Sequence, residues 1–238
     1  MKISKEKQKK IKSKILKIAV ELISLNGYKK TSMSKIAKEA NIGEATIYNY
    51  FSTKEDILYE YFYELQIKTK NELLKIDQFS NFSLKEQLQL LLEQQLNLLK
   101  EDRTFILNIY GEIFYKAFSH PNLQKGNDEL LLMVSELFDM AIEVNEIEPL
   151  ALGDTILKLF LDYYFGIIYY WINDNSKNFE NTSIMIDKTL DIAYSLLQSG
   201  LVNKVQDLVN FVIKTHILNT IKPNKIFTKK VFGKKDEK

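Results

Sequence analysis

None of the 238 residues is cysteine, which excludes disulfides, thiolate metal sites and thiol nucleophiles. The two histidines, His120 and His216, have no companion at metal-ligand spacing, and a lone histidine is more often structural or solvent-facing than a ligand. There is no glycine-rich phosphate loop, no nucleophile elbow and no carboxylate pair at telling spacing. No enzyme activity, cofactor or metal is expected. Long apolar runs are also missing. The most apolar stretch, 156–172, is interrupted by Lys158 and Asp162 and is shorter than the ~20 residues a membrane span requires, so it reads as a buried helix. The basic N-terminus MKISKEKQKKIKSK is followed by no apolar segment of signal-peptide type, so the expected location is cytoplasmic.

What the chain does have is core and a split charge. A hydrophobic content of 45% is ample for one large domain or two small ones. Residues 1–54 hold 13 lysines against 4 glutamates, a net +9; residues 55–213 come to −13 and residues 214–238 to +6. A basic module on an acidic body is the footprint of a protein that meets nucleic acid with one end only. The basic tail reads more simply as a solvated lysine-rich segment.

Nearly every segment repeats its apolar residues at three and four. Ile11, Ile15, Ile18, Ala19, Leu22 and Leu25 make a first amphipathic stripe ended by Asn26-Gly27. Ahead of it, Lys5, Lys7, Lys9 and Lys10 could reach a phosphate backbone. Helices are further expected over about 53–76, 84–100, 104–119, 122–146, 149–173, 182–198 and 201–220. The 182–198 helix is expected to face Ile184, Ile186, Leu190, Ala193, Leu196 and Leu197 inward. In the 104–119 helix, Asn108, Glu112 and Lys116 form one stripe that reads as outward, which makes Glu112 solvated rather than catalytic. Gly166 in mid-helix asks for a close helix approach to offset its cost of about 1 kcal/mol against alanine.

Residues 31–54, TSMSKIAKEANIGEATIYNYFSTK, organise the rest. They read as two short helices joined by a tight turn, a helix-turn-helix. Thr31 is the expected N-cap of the first, whose buried face carries Ile36, Ala37 and Ala40. Asn41 stands where the chain must leave the helix in a left-handed conformation. In the second helix Ile47 and Phe51 define the buried side. Opposite them Ala45, Thr46 and Asn49 sit where base edges would be, with Tyr48 and Tyr50 on the flanks where phosphates would be. The next helix opens with a capping box at Ser52 or Thr53. Lys54 lies in its first turn, where the helix dipole disfavours a cation unless a phosphate is bound.

In these residues the chain resembles the TetR family of transcriptional regulators. The family segment runs T-x-x-x-I-A-x-x-A-G-V-S-x-G-T-x-Y-x-Y/H-F-x-x-K-x-x-L, and the chain matches it in order at Thr31 or Ser32, Ile36, Ala37, Ala40, Thr46, Tyr48, Tyr50, Phe51, Lys54 and Ile57-Leu58. It departs at Asn41, Gly43 and Ala45; Gly43 loses a hydroxyl that in the family caps the helix or touches phosphate. The resemblance implies an all-α homodimer with an N-terminal three-helix DNA-binding domain (1–52), a larger helical ligand-binding and dimerisation domain (53–220) and a basic tail (221–238). It implies DNA contacts from Ser32, Ser34, Lys35, Glu44, Ala45, Thr46, Tyr48, Asn49, Tyr50 and Lys54. The third helix would enter successive major grooves of a palindromic operator, and the last two body helices would pair with their copies as a four-helix bundle. A small, apolar effector in the body would release DNA, the helix beginning near residue 53 acting as lever. Aromatic candidates for its pocket are Phe62, Phe105, Tyr110, Phe114, Phe138, Tyr164, Phe165 and Trp171, each of which also reads as plain core. The competing reading is a helical ligand-binding or scaffold protein with degenerate DNA recognition.

Overall fold

Amphipathic periodicity with few breakers dictates helices, and the computed structural model, which describes residues 4–114 and 121–214, contains no strand among them. The order is α1 (Lys5–Asn26), α2 (Met33–Glu39), α3 (Glu44–Ile47), α4 (Lys54–Leu73), α5 (Leu84–Leu99), α6 (Arg103–Phe114), α7 (Pro121–Glu143), α8 (Gly153–Asn173), α9 (Glu180–Gln198) and α10 (Leu201–Val212). Phe114, Lys116 and His120 have side chains outside the described residues, as does all of His216. No described helix is long and apolar enough to cross a membrane.

Each start has a local cause. Ser4 caps α1 by accepting from the Lys7 amide, so the helix begins well ahead of the apolar stripe. Ser83 and Glu86 form a capping box for α5, and Thr53 and Asp56 one for α4. Asp174 accepts from the Thr182 amide and hydroxyl at the head of α9. The Arg103 guanidinium at the start of α6 donates to the carbonyls of Trp171, Ile172 and Asp174 and satisfies the end of α8.

Two cores result. A small one joins Ile15, Leu16 and Ala19 of α1 to Ile36, Ala37, Ile47, Phe51 and Ile57. The larger one is built by α4 to α9 and also takes Ile23 from the end of α1 and Tyr28 from the loop after it. Helix α4 contributes to both: Ile57 is buried in the small core and Leu58, Phe62 and Leu65 in the large one. Removing the fully buried Ile47 side chain to alanine would cost roughly 2–5 kcal/mol, a large share of what so small a core supplies.

The structure corrects several sequence expectations. In α1, Ile15 and Ala19 are inside as expected and Leu16 and Ile23 join them, while Leu25 is exposed. Asn108 is not directed to solvent: its amide donates to the carbonyls of Ile23 and Ser24 at the end of α1, and the neighbouring Glu112 lies 3.9 Å from Lys29. In α9, Ile186, Leu190 and Leu197 point inward but Ile184, Ala193 and Leu196 do not. Nothing lies within 4 Å of where a Cβ would stand on Gly166, so no neighbour in the chain accounts for that glycine. Gly126 has such a neighbour: a Cβ there would meet the Tyr63 amide nitrogen at 3.3 Å, so α7 presses against the α4 backbone.

Candidate nucleic-acid interface and ligand cavities

The helix-turn-helix is set by its caps and turn. The N-cap of α2 is Ser32, whose hydroxyl accepts from the Lys35 amide, and not Thr31. Thr31 is buried and donates to the carbonyls of Leu22 and Gly27, so it ties the α1–α2 loop down. Asn41 adopts φ 52°, the left-handed conformation the turn requires. Gly43 caps α3 with no side-chain bond. Regular α geometry ends at Ile47, and bonds from Asn49 to the Thr46 carbonyl and from Tyr50 and Phe51 to the Ile47 carbonyl carry the turn onward.

Ile47 and Phe51 are buried, which leaves the opposite side of α3 clear of hydrophobic bulk. Glu44, Ala45 and Asn49 are exposed, Thr46 and Tyr50 are half-buried, and Tyr48 is 49% exposed. Ser32, Ser34 and Lys35 lie exposed on α2, with the Lys35 ammonium donating to the Lys30 carbonyl. Thr46, Asn49 and Tyr50 form one wall of a cleft of about 1040 Å³, with Lys5, Lys9 and Lys12 of α1 on another and Tyr63 and Lys68 of α4 closing it. The charge run ahead of the apolar stripe was the signal for these lysines. The sequence could not separate Lys5 and Lys9, which face the cleft, from Lys10, which pairs with Glu6, nor show that Lys12 in the cleft wall pairs with Glu60.

Lys54 is placed differently from the expectation. Its ammonium donates to the carbonyls of Tyr28 (2.6 Å) and Thr31 (2.7 Å) and sits 3.8 Å from the Tyr28 ring centroid. Two carbonyls and an aromatic face offset the dipole conflict. Burial also pulls its pKa below the usual lysine range.

Of the aromatic pocket candidates, Phe62, Phe105, Tyr164, Phe165 and Trp171 are packed in the large core, and half-buried Tyr110 donates its hydroxyl to the Phe165 carbonyl. Phe138 lines a cavity of about 310 Å³, carbon-walled almost throughout, between α5, α7, α8 and α9. A second cavity of about 620 Å³ lies between α4, α5 and α7, lined by Leu73, Leu91, Met133, Leu137 and Met140, with Lys70 and Glu136 at 3.4 Å from each other on its wall. Sequence reading missed the polar groups buried within the large core. Gln95 donates to Gln66 at 2.7 Å inside the core, and the Tyr164 hydroxyl beside Gln66 has its pKa pushed up by desolvation. Tyr61 donates to Asp102 at 2.7 Å. Among the described residues no group of acidic or histidine side chains could hold a metal ion.

The model for tetracyclin repressor-like C-terminal domains matches residues 87–212, and that for bacterial regulatory proteins of the tetR family matches residues 15–61. The chain belongs to the TetR family. It is a TetR-family transcriptional regulator, a class of regulators and not of enzymes, with a DNA-binding helix-turn-helix at the N-terminal end. Its similarity to the fatty acid metabolism regulator protein of Bacillus subtilis is 38% identity over 102 residues, 42% of this chain and 52% of that protein. The matched stretch thus spans about half the length of that relative. An HTH-type transcriptional regulator of Staphylococcus aureus is 27% identical over 180 residues, 65% of this chain and 94% of its own. The structure of the fatty acid degradation regulator FadR from Bacillus halodurans superposes with a TM-score of 0.58 at 20% identity, covering 83% of this chain and 97% of that one, a likeness of fold.

Proposed function

We propose that this TetR-family regulator is a one-component repressor that binds a palindromic operator as a homodimer and is released by an apolar effector. The observation that carries the reading is the divided surface of α3, with Ile47 and Phe51 buried and Ala45, Thr46, Tyr48 and Asn49 open. Thr46 and Asn49 read base edges, and Tyr48, Tyr50, Ser34 and Glu44 complete the contact surface with Ser32 and Lys35 of α2. Lys5 and Lys9, across the cleft, approach the flanking phosphates. Lys54 acts by positioning the α1–α2 loop. Residues 1–52 form the reading head and 53–220 the body, with 221–238 a basic tail; the two cores support this division. Such a regulator works in the cytoplasm, where the DNA is.

The homodimer forms through α8 and α9, where Leu159, Tyr170, Ile184, Met185, Ile192 and Leu196 are exposed. Gly166 lies exposed on the same stripe of α8 as Leu159 and Tyr170, which gives a second copy of the helix room for the close approach that nothing within the chain makes. The two relatives named for fatty acid metabolism and degradation suggest an effector from that chemistry. The cavity of about 620 Å³ between α4, α5 and α7, with its mostly apolar wall, falls within the ordinary range for such a ligand.

The test is selection of bound fragments from the source genome, followed by anisotropy titration on the enriched sequence. Thr46→Ala and Asn49→Ala should each lose about 1–3 kcal/mol of operator discrimination while the melting temperature stays put. Fatty acids or their thioesters should then weaken the complex. Unchanged operator affinity in both variants would remove the site assignment.

A further inference from the structure

Helix α10 has no buried residue, yet Leu201, Val205, Leu208 and Val209 expose 45–62% of their surface on one side of it. Spacings of four and three residues make Leu201, Val205 and Leu208 a single stripe, with Lys204 and Asp207 elsewhere on the helix. The helix is nevertheless held in place. Gly200 turns the chain at φ 64°, Val202 packs on the core, and Asn203 donates to Glu148 and to the Pro149 carbonyl while accepting from the Ala151 amide. An anchored helix that presents a bare apolar stripe is a surface built to be covered.

We infer that the stripe is covered by a second copy of this chain, Val205 and Leu208 seating in the apolar groove that Leu159, Ala193 and Leu196 bound between α8 and α9 of that copy. The inference rests on the homodimer reading above and extends it. That groove is the carbon-walled cavity of about 310 Å³, and Leu159 and Leu196 at its rim are themselves exposed. Donor stripe and acceptor groove are on the same chain, so two-fold symmetry satisfies both contacts at once. The groove is also continuous with the α8–α9 face, because Leu159 and Leu196 belong to both, so the α10 stripe enlarges that interface rather than forming a separate one.

The absence of native cysteine makes the test clean. Leu208→Cys in one tagged copy and Leu159→Cys in another should cross-link between chains under mild oxidation. Leu208→Asp should raise the dimer dissociation constant at least tenfold in sedimentation, with helicity unchanged. A wild-type dimer whose dissociation constant Leu208→Asp leaves alone, with no cross-link or with one only within a doubly substituted chain, overturns the inference and leaves the α8–α9 dimer standing. Binding to anionic phospholipid vesicles that Leu208→Asp abolishes without touching the dimer overturns it in favour of a membrane surface. A monomeric wild type overturns both readings.

Discussion

Replacing Lys54 separates two physical roles that the sequence cannot tell apart. Lys54→Met keeps the aliphatic stem and removes the charge, which leaves the carbonyls of Tyr28 and Thr31 without the ammonium they now share at 2.6 and 2.7 Å. Charge-assisted hydrogen bonds of this kind are worth about 1.5–3 kcal/mol each, and the contact with the Tyr28 ring adds about 0.5–1 kcal/mol. Against that, the variant escapes about 0.3–1 kcal/mol of repulsion from the α4 dipole, and partial exposure lets water replace some of what is lost. The net cost is roughly 2–4 kcal/mol, or about 4–16 °C in melting temperature for a chain of this size. Operator binding by the variant, measured at a temperature where it is folded, should weaken by the same factor at every salt concentration. A lysine that neutralises a phosphate behaves otherwise: its loss flattens the log–log salt slope by about 0.9 and leaves stability alone. Circular dichroism melts and anisotropy titrations at several salt concentrations measure both quantities. A melting temperature within about 1 °C of wild type, together with a slope reduced by about 0.9, would refute the positioning role.

Three further outcomes follow from named contacts. Gly126→Val forces a side chain against the α4 backbone at Phe62 and Tyr63, where a Cβ alone would already stand 3.3 Å from an amide nitrogen; overpacking of about 1–3 kcal/mol should appear as a lower melting temperature and an altered operator affinity, although residue 126 touches no DNA. Gly43→Ser supplies the missing cap of α3 at a φ of −62° that any residue adopts, but its Cβ comes within 3.2 Å of the Thr46 hydroxyl. It should gain a few tenths of a kcal/mol in unfolding experiments and lose operator selectivity, because Thr46 must turn. Burial raises the Asp174 pKa, yet the hydrogen bonds from Thr182 and Ser176 outweigh it and hold the carboxyl at about 2. A depressed carboxylate stabilises the fold above its unfolded value near 3.8 and loses that contribution as pH falls towards about 2, so wild type should lose more stability across that window than Asp174→Asn.

The helix-turn-helix was legible because its signals are local. The left-handed turn at Asn41, the buried Ile36, Ala37 and Ile47, and the capping box at Thr53 and Asp56 all follow from neighbours within four residues. What was not legible depends on packing between distant segments. Thr31 and Ser32 are both capping residues, and only the end of α1, which takes the Thr31 hydroxyl inside, decides between them. Spacing put Asn108 on a polar stripe, yet it cannot show that α1 ends against that stripe. Helix α9 has more apolar residues than one buried face can hold, so reading Ile184 and Leu196 as core was the natural error. Aromatic content, finally, does not distinguish a cavity wall from a filled core. Phe105 and Trp171 are fully buried, while the cavity of about 620 Å³ has four leucines and two methionines in its wall against a single phenylalanine.

The proposed release mechanism needs a seam along which α4 can move, and the hydrogen bonds suggest which. Sliding α4 on α5 would break the buried bond between Gln66 and Gln95 and leave two amides unsatisfied at about 1–3 kcal/mol each. Tyr61 would lose Asp102 as well. Between α4 and α7, Lys70 and Glu136 form a 3.4 Å pair that is partly exposed and worth little. The same seam holds the close approach at Gly126. The cavity of about 620 Å³ borders this seam, so a ligand seated there would bear on α4 from the α7 side, and the buried Gln66–Gln95 bond would carry α5 with it. With 20 residues α4 is about 30 Å long, and a tilt of only about 5° displaces its far end by roughly 2–3 Å. In a dimer held at α8 and α9 both heads shift by that amount, enough to spoil the spacing of two half-sites while leaving each helix-turn-helix intact. Because α4 supplies Ile57 to the small core and Phe62 to the large one, the head has to follow wherever that seam settles.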